Sequence, residues 1–291
     1  MIDLHTHSTF SDGSLTPAAL VDLARREGLC ALALTDHDTT AGLAPFLEAC
    51  AAAGDGAAPL RAVPGVEISV DVPRGTMHVL GYFVRAGDPQ LEPLLARIRD
   101  GRDGRNGMIL NRLRELGMPL DAAEVESRAG GEVVGRPHIA QAMVARGYVR
   151  STTAAFDRFL AKGQPAYCDR YHPPPKEGIA AIRAAGGAAV LAHPWTLEMT
   201  RSRLQSFVGE LRTEGLAGIE VWYPEHSAEQ RDQYLGLCRE FDLIAVGGSD
   251  FHGAMNPALR LGHGFNGLGV PDSAVDDLAA RATAVRKEGP P

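Results

Sequence analysis

Short apolar runs alternate with amphipathic, helix-forming stretches in both halves of this sequence, and no other feature constrains its fold so tightly. Met1 to Leu4 is apolar and gives way to a polar turn. Thr16 and Pro17 then read as an N-cap and a first-turn proline. Leu20, Leu23 and Ala24 share one helical face, and Gly28 is placed to stop the helix. Cys30 to Thr35 reads as a buried strand, residues 40–53 as a helix, Arg61 to Val70 as a strand and Met77 to Val84 as its hairpin partner. The rhythm resumes with a helix at Lys176 to Ala185, closed by Gly186 and Gly187, and a strand at Ala188 to Ala192. A helix at 199–213, a strand at Ala217 to Val221, a helix at Ala228 to Glu240 and a strand at Leu243 to Val246 complete it. Short apolar strands separated by helices require a mostly parallel sheet with a covered outer face. Roughly seven such strands predict closure into an α/β, TIM-like barrel.

Between 89 and 165 the alternation breaks. Arg97 to Leu116, Asp121 to Ala129, Pro137 to Arg146 and Thr152 to Lys162 carry helical patterns, with no convincing strand among them. The expected organisation is a barrel from residues 1–88 and 166–291, with 89–165 as a helical insertion capping the substrate. A length of 291 residues suits a barrel with an insertion, and 45% hydrophobic content suffices for its core.

Composition removes several function classes. A net charge of −7 does not fit the broad basic face of a duplex-DNA binder. The charge of an anionic substrate must then be met locally, by metals or a few Arg and Lys. Cys30, Cys50, Cys168 and Cys238 are scattered, which argues against a zinc ribbon or a disulfide framework and for a reducing cytosol. The N-terminus lacks a basic segment followed by a long apolar run, and no apolar stretch approaches the ~20 residues that span a bilayer. A cytoplasmic protein without a membrane partner is expected, its oligomeric state left open and its tail from Arg286 to Pro291 frayed.

Metal-type residues fall where the predicted strands end. His5 and His7 follow the first, with Asp12 in the next loop, and Thr35-Asp36-His37-Asp38 ends the second. Glu67 lies in the third and His78 in its hairpin partner. His193 follows the next strand, and Ser249-Asp250-Phe251-His252 follows the last. Strand side chains alternate, so His5 and His7, and likewise Asp250 and His252, should share a face. In α/β barrels such ends gather at one mouth. Six histidines and three carboxylates there predict a metal site, because buried charge is costly unless paired or metal-bound.

Together, His5-Thr6-His7-Ser8, the Asp12 loop, Thr35-Asp36-His37-Asp38, Gly65-Val66-Glu67, His78, Ala192-His193-Pro194 and Gly248-Ser249-Asp250-Phe251-His252 resemble the PHP (polymerase and histidinol phosphatase) family. The resemblance implies a distorted (β/α)7 barrel, two or three divalent ions, first of all Mn2+ with Fe2+, Zn2+ or Mg2+ as alternatives, and hydrolysis of phosphate esters. By it, one metal takes His5, His7, Glu67 and Asp250, a second takes Glu67, His78 and His193, and a third takes Asp12, His37 and His252. Many relatives carry histidine where this chain has Asp12. Asp250 is the candidate to orient the nucleophile, and His193 or His252 to protonate the leaving oxygen.

Substrate contacts are sought mainly in the insertion. Arg136 offers a bidentate fork for phosphate and His138 a hydrogen bond, unless the two merely open a helix. Lys162 lies in an Ala161 to Tyr167 stretch that recurs in the phosphoesterase branch resembled, and Arg170 is a weaker candidate of the same kind. Trp195 could stack on a base or pack a loop, and Tyr223 and His226 end a strand near the mouth. His172 and His263 read as solvent or loop histidines. The branch resembled implies a small nucleotide as partner, through removal of the 3′-phosphate of nucleoside 3′,5′-bisphosphates. The alternatives are 5′-to-3′ trimming of short RNA, a histidinol-phosphate-type phosphatase, or a non-catalytic metal-binding module.

Overall fold

The computed structural model describes residues 1–52, 59–129, 133–265 and 267–288. Seven strands follow one another around one sheet in chain order: β1 (Ile2–Asp3), β2 (Ala31–Leu34), β3 (Arg61–Val70), β4 (Met77–Tyr82), β5 (Ala188–Leu191), β6 (Gly218–Trp222) and β7 (Ile244–Gly247). β4 runs antiparallel to both its neighbours, and every other pair is parallel. Beyond β7 the chain returns to β1. Leu4 N–H donates to the Gly247 carbonyl at 3.3 Å, and Asp250 N–H to the His5 carbonyl at 2.9 Å. The sheet is therefore a nearly closed seven-stranded barrel, as expected, with one reversed strand.

Helices α1 (Pro17–Arg26) and α2 (Leu43–Ala51) make the first two crossovers. The Thr16 hydroxyl accepts the Ala19 N–H at 3.2 Å, so the predicted cap is present, and Gly28 follows at φ 73°. Residues 89–165 carry α3 (Glu92–Glu115), α4 (Ala122–Glu126), α5 (Arg136–Ala145) and α6 (Thr152–Ala155); the outer layer continues through α7 (Pro175–Ala184), α8 (Arg201–Thr213) and α9 (Ala228–Phe241), and α10 (Ser273–Glu288) comes last. Strand alternation divides the core. Leu32, Leu34, Val66, Ile68 and Val79 face outward onto Leu20, Phe46, Ile182, Val208 and Leu237 of the helices. Ile2, Leu4, Ala31, Ala33, Val63, Leu80, Ala188 and Val190 fill the barrel.

Three expectations change. The helix expected from Arg97 begins at Glu92 and straddles two cores: Leu94, Leu95 and Ile98 join the barrel, while Ile109, Leu110 and Leu113 pack on Ile139, Met143 and Leu160. The helix expected through Lys162 stops at Ala155 and passes into a wider i→i+5 turn over Phe156–Leu160. α10 is new. Its Ala274, Val275, Leu278 and Ala282 close the barrel interior, an alanine-rich face with little apolar contrast to detect. Arg61 pairs with its Asp276, and Arg281 reaches the Asp242 carbonyl ahead of β7, so α10 lies across the strand N-termini. Residue 53, at the end of the helix expected over 40–53, and Gly289 to Pro291 of the expected frayed tail lie outside the described residues. Among the described residues no helix is long and apolar enough to cross a membrane, and the four cysteines are unpaired.

Candidate metal centre

All nine expected ligands meet at the rim opposite α10. Most come from the C-terminal ends of the parallel strands or the loops after them, Glu67 lies within β3, and the reversed β4 delivers His78 from its start. His5 and His7 sit on an extended stretch that bridges to Phe251 through Thr6. Asp250 and His252 do not share a face by strand alternation, as the sequence suggested. Asp250 has φ 55°, and this turn swings both side chains inward. His193, at φ 22° before Pro194, is another left-handed backbone site. Gly248 is required because any Cβ there would collide with His5.

Glu67 is the hub. Its Oε1 lies 2.7 Å from His78 Nδ1, 3.1 Å from His193 Nε2 and 3.4 Å from His5 Nε2. Its Oε2 lies 2.8 Å from His37 Nδ1 and 3.4 Å from His7 Nε2. Asp250 Oδ1 is 3.1 Å from His7 Nε2 and 3.4 Å from His5 Nε2. Asp12 Oδ1 is 3.1 Å from His252 Nε2 and 3.9 Å from His37 Nε2. Four overlapping groups could each hold an ion: His7, Asp12, His37 and His252; His5, His7 and Glu67; His5, His193 and Asp250; His37, Glu67 and His78.

The electrostatics suit cations. Burial alone would raise the Asp12, Glu67 and Asp250 carboxyls, but the surrounding histidines hold all three well below the usual range. Burial lowers His252, yet Asp12 and Asp250 together hold it up at about 10. His7 is pulled down to about 3 by burial and by His252 and His37. His5 and His7 Nε2, His37 Nδ1, Asp12 Oδ1, Glu67 Oε2 and Asp250 Oδ1 are buried without a hydrogen-bond partner. Orphaned buried donor atoms converging on shared points are costly as a purely structural device. Imidazole and carboxylate together fit manganese, iron or zinc.

A shell of buried acids around the cluster escaped the sequence reading. Glu220 Oε1 lies 3.0 Å from His5 Nδ1, and Oε2 accepts the His193 N–H at 2.8 Å. Asp3 accepts Ser249 N–H and Gly262 N–H, tying β1 to the loop after β7. Asp36 accepts the Ser8 N–H at 2.7 Å and the Ser11 hydroxyl at 2.6 Å. A charge inside an apolar strand run, such as Glu220 in β6, was the available signal.

Beside the centre opens a cavity of about 690 Å³, lined by Asp12, His37 and His78 together with Arg102, Arg105, Arg136, Lys162 and Arg170. Arg136, Lys162 and Arg170 were expected there; Arg102 and Arg105 were not. Arg102 and Arg170 both reach the buried Asp38 carboxylate. His172, expected as a solvent or loop histidine, lies in a loop and lines the same cavity, half-buried and lowered to about 4 by burial and by Arg170. His263 pairs with Glu27. His138 is buried, its Nδ1 accepting the Gly135 N–H at 3.0 Å, so it opens α5. Trp195 is exposed and outside the cavity wall. The Tyr223 hydroxyl donates to Asp250 Oδ2 at 3.0 Å, and His226 bonds the Val221 carbonyl at 2.8 Å beneath it.

Residues 3–122 match the model of the PHP domain. A 3′,5′-nucleoside bisphosphate phosphatase of Chromobacterium violaceum is 35% identical over 270 residues, with 90% of each chain covered. The chain belongs to the PHP family. The 5′-3′ exoribonuclease Rnm of Escherichia coli is 34% identical over 250 residues, covering 86% of this PHP chain and 84% of the exoribonuclease. A Bifidobacterium adolescentis structure described as a candidate metal-dependent phosphoesterase superposes with a TM-score of 0.84 at 32% identity, covering 96% of each chain. Family, fold and ligand cluster together make this PHP protein a metal-dependent phosphoesterase.

Proposed function

We propose that this PHP phosphoesterase removes the 3′-phosphate of nucleoside 3′,5′-bisphosphates, giving nucleoside 5′-monophosphate and phosphate in the cytoplasm. One observation carries the reading: a cavity of about 690 Å³ whose lining combines Asp12, His37 and His78 of the metal-type cluster with several cationic side chains. That volume is of the size that encloses a small molecule. Its arginines meet anionic charge locally in a chain of net charge −7. The bisphosphate phosphatase relative supports the same substrate class. In this reading residues 89–165 are a cap over a barrel formed by 1–88 and 166–291.

His5, His7, Glu67 and Asp250 would hold one divalent ion, Glu67 with His78 and His193 a second, and Asp12, His37 and His252 a third, manganese being the first choice. When bound, such ions lower the pKa of a coordinated water and neutralise charge on the transferring phosphoryl group. Asp250 orients the attacking water. Its Oδ2 is fixed by Tyr223, which leaves Oδ1 directed at the cluster. His193 and His252 are the candidates to protonate the leaving oxygen, and His252 is the more exposed, at 19% against 6%. Arg136, Lys162 and Arg170 face the substrate.

Phosphate release with manganese is to be measured on adenosine 3′,5′-bisphosphate and on a 5′-phosphorylated short RNA. The expected result is faster release from the bisphosphate. Activity confined to RNA favours the exoribonuclease reading, for which the Rnm likeness speaks. Bound metal without release from either substrate or from simple phosphomonoesters would favour a binding module.

A further inference from the structure

Resting on the assignment of His193 to the second ion, we infer that Thr196 is a positioning residue for that ligand. Its hydroxyl sets the tautomer and angle of the His193 ring, so that Nε2 is the nitrogen offered to the metal. His193 stands two residues beyond β5 at φ 22° and ψ 67°, and Pro194–Leu197 follows as one tight turn. The Thr196 N–H donates back to the His193 carbonyl at 3.1 Å. This turn brings the Thr196 hydroxyl to 3.2 Å from His193 Nδ1, while Nε2, across the ring, lies 3.1 Å from Glu67 Oε1.

A hydroxyl can accept or donate, and here its other neighbours decide. Thr196 Oγ1 lies 2.8 Å from the Thr76 carbonyl and 3.0 Å from the His193 carbonyl. Carbonyls only accept, so the single hydroxyl proton is committed to them. What remains toward His193 is a lone pair, which requires Nδ1 to carry the ring proton. A neutral imidazole protonated at Nδ1 keeps its free lone pair on Nε2, the atom that faces the cluster. The opposite tautomer would set lone pair against lone pair beside a ring only 6% exposed, and would aim an N–H into the cluster. His252 has the same polarity: its Nδ1 lies 2.8 Å from the Asp250 carbonyl, and its Nε2 faces Asp12 at 3.1 Å.

Thr196 is itself clamped by the turn between β3 and β4. Its carbonyl accepts the Thr76 N–H at 2.9 Å, and Gly75, at φ 69°, leaves no room for a side chain against that carbonyl. Glu220 thus fixes the His193 main chain, and Thr196 fixes the ring. Thr196 does not line the cavity, so its effect belongs to metal binding and not to substrate affinity.

The test compares Thr196→Val, which keeps the shape and the backbone clamp but removes the hydroxyl, with Thr196→Ser, which restores it. Zinc, a diamagnetic ion, is the probe for nitrogen-15 NMR of the histidine rings, the His193 signal being assigned from His193→Gln. In the wild type and Thr196→Ser the zinc-loaded ring should show an Nδ1–H protected from exchange, and in Thr196→Val that protection should be lost. Manganese affinity should fall by about 10–100-fold in Thr196→Val and stay within about threefold of wild type in Thr196→Ser. An Nε2–H on His193, or affinity in Thr196→Val within about threefold of wild type, overturns the inference. Should Thr196→Val fail to fold, Thr196→Ala is judged by the same two readouts. If His193→Gln binds manganese as tightly as the wild type, the ligand assignment falls instead. The neutral ring of the metal-free protein then decides: Nδ1–H upholds the role of Thr196, and Nε2–H refutes it.

Discussion

His5 is held from two sides, and the side away from the cluster explains its orientation. Its Nδ1 faces Glu220, fully buried in β6, while its Nε2 faces Glu67 and Asp250. Glu220 also accepts the His193 backbone N–H, so one carboxylate positions two candidate ligands. A carboxylate behind a metal-binding histidine fixes its tautomer and raises its basicity. Glu220→Gln should therefore weaken metal binding by about 10–100-fold while leaving the fold intact. Metal titration of the apoprotein, read beside circular dichroism, checks this, and affinity within threefold of wild type would reduce Glu220 to a structural role. The nine rim residues were legible because their types are rare in strands and their positions recur at strand ends. Glu220 and Arg105 were not. One acid in Gly218–Trp222 signals a buried carboxylate but not which groups it holds, and an arginine on the charged helix α3 looks solvated until Arg136 and Tyr167 are brought beside it.

At the scale of elements, alternation of strand and helix is a local signal and survives into the structure almost unshifted. What escaped depends on partners distant in sequence. The reversal of β4 was visible as a hairpin, but its consequence, that His78 reaches the common rim from a strand start, needs the pairing of β4 with β5 more than a hundred residues later. α10 escaped because its buried face is Ala274, Val275, Leu278 and Ala282, a pattern whose amphipathicity is weak without knowledge of the open barrel end it covers. Leu278 is fully buried there. Leu278→Ala should cost about 2–5 kcal/mol of stability through lost burial and a residual cavity. It should barely change turnover per folded molecule, since α10 lies at the opposite end from the metal cluster. Urea denaturation alongside phosphate release separates the two effects; a tenfold loss of kcat in folded protein would show that the barrel base transmits to the rim.

For the whole molecule, the ligand cluster and the barrel's closure are one problem. Short strands, two residues in β1 and four in β2, β5 and β7, leave much of the sheet's upper rim to loops. There the site joins first to last: His5 and His7 follow β1, Glu67 lies in β3 and Asp250 follows β7, bonded across by Asp250 N–H to the His5 carbonyl. With no ion bound, the carboxylates of the cluster depend mainly on histidines that repel one another, beside the one Tyr223 hydroxyl on Asp250. Ions that bind the assembled rim and not the unfolded chain therefore add directly to folding stability. One ion at a hundred times its dissociation constant contributes about 2.7 kcal/mol. At this chain length that moves the melting midpoint by about 4–5 °C. Chelation should lower the midpoint by at least that amount, manganese should restore it in a concentration-dependent manner, and Glu67→Gln should abolish most of the response because Glu67 touches five of the six histidines. Differential scanning calorimetry with and without chelator makes the measurement. A midpoint indifferent to metal would mean that the rim is already held together by its own hydrogen bonds and that the ions serve turnover alone.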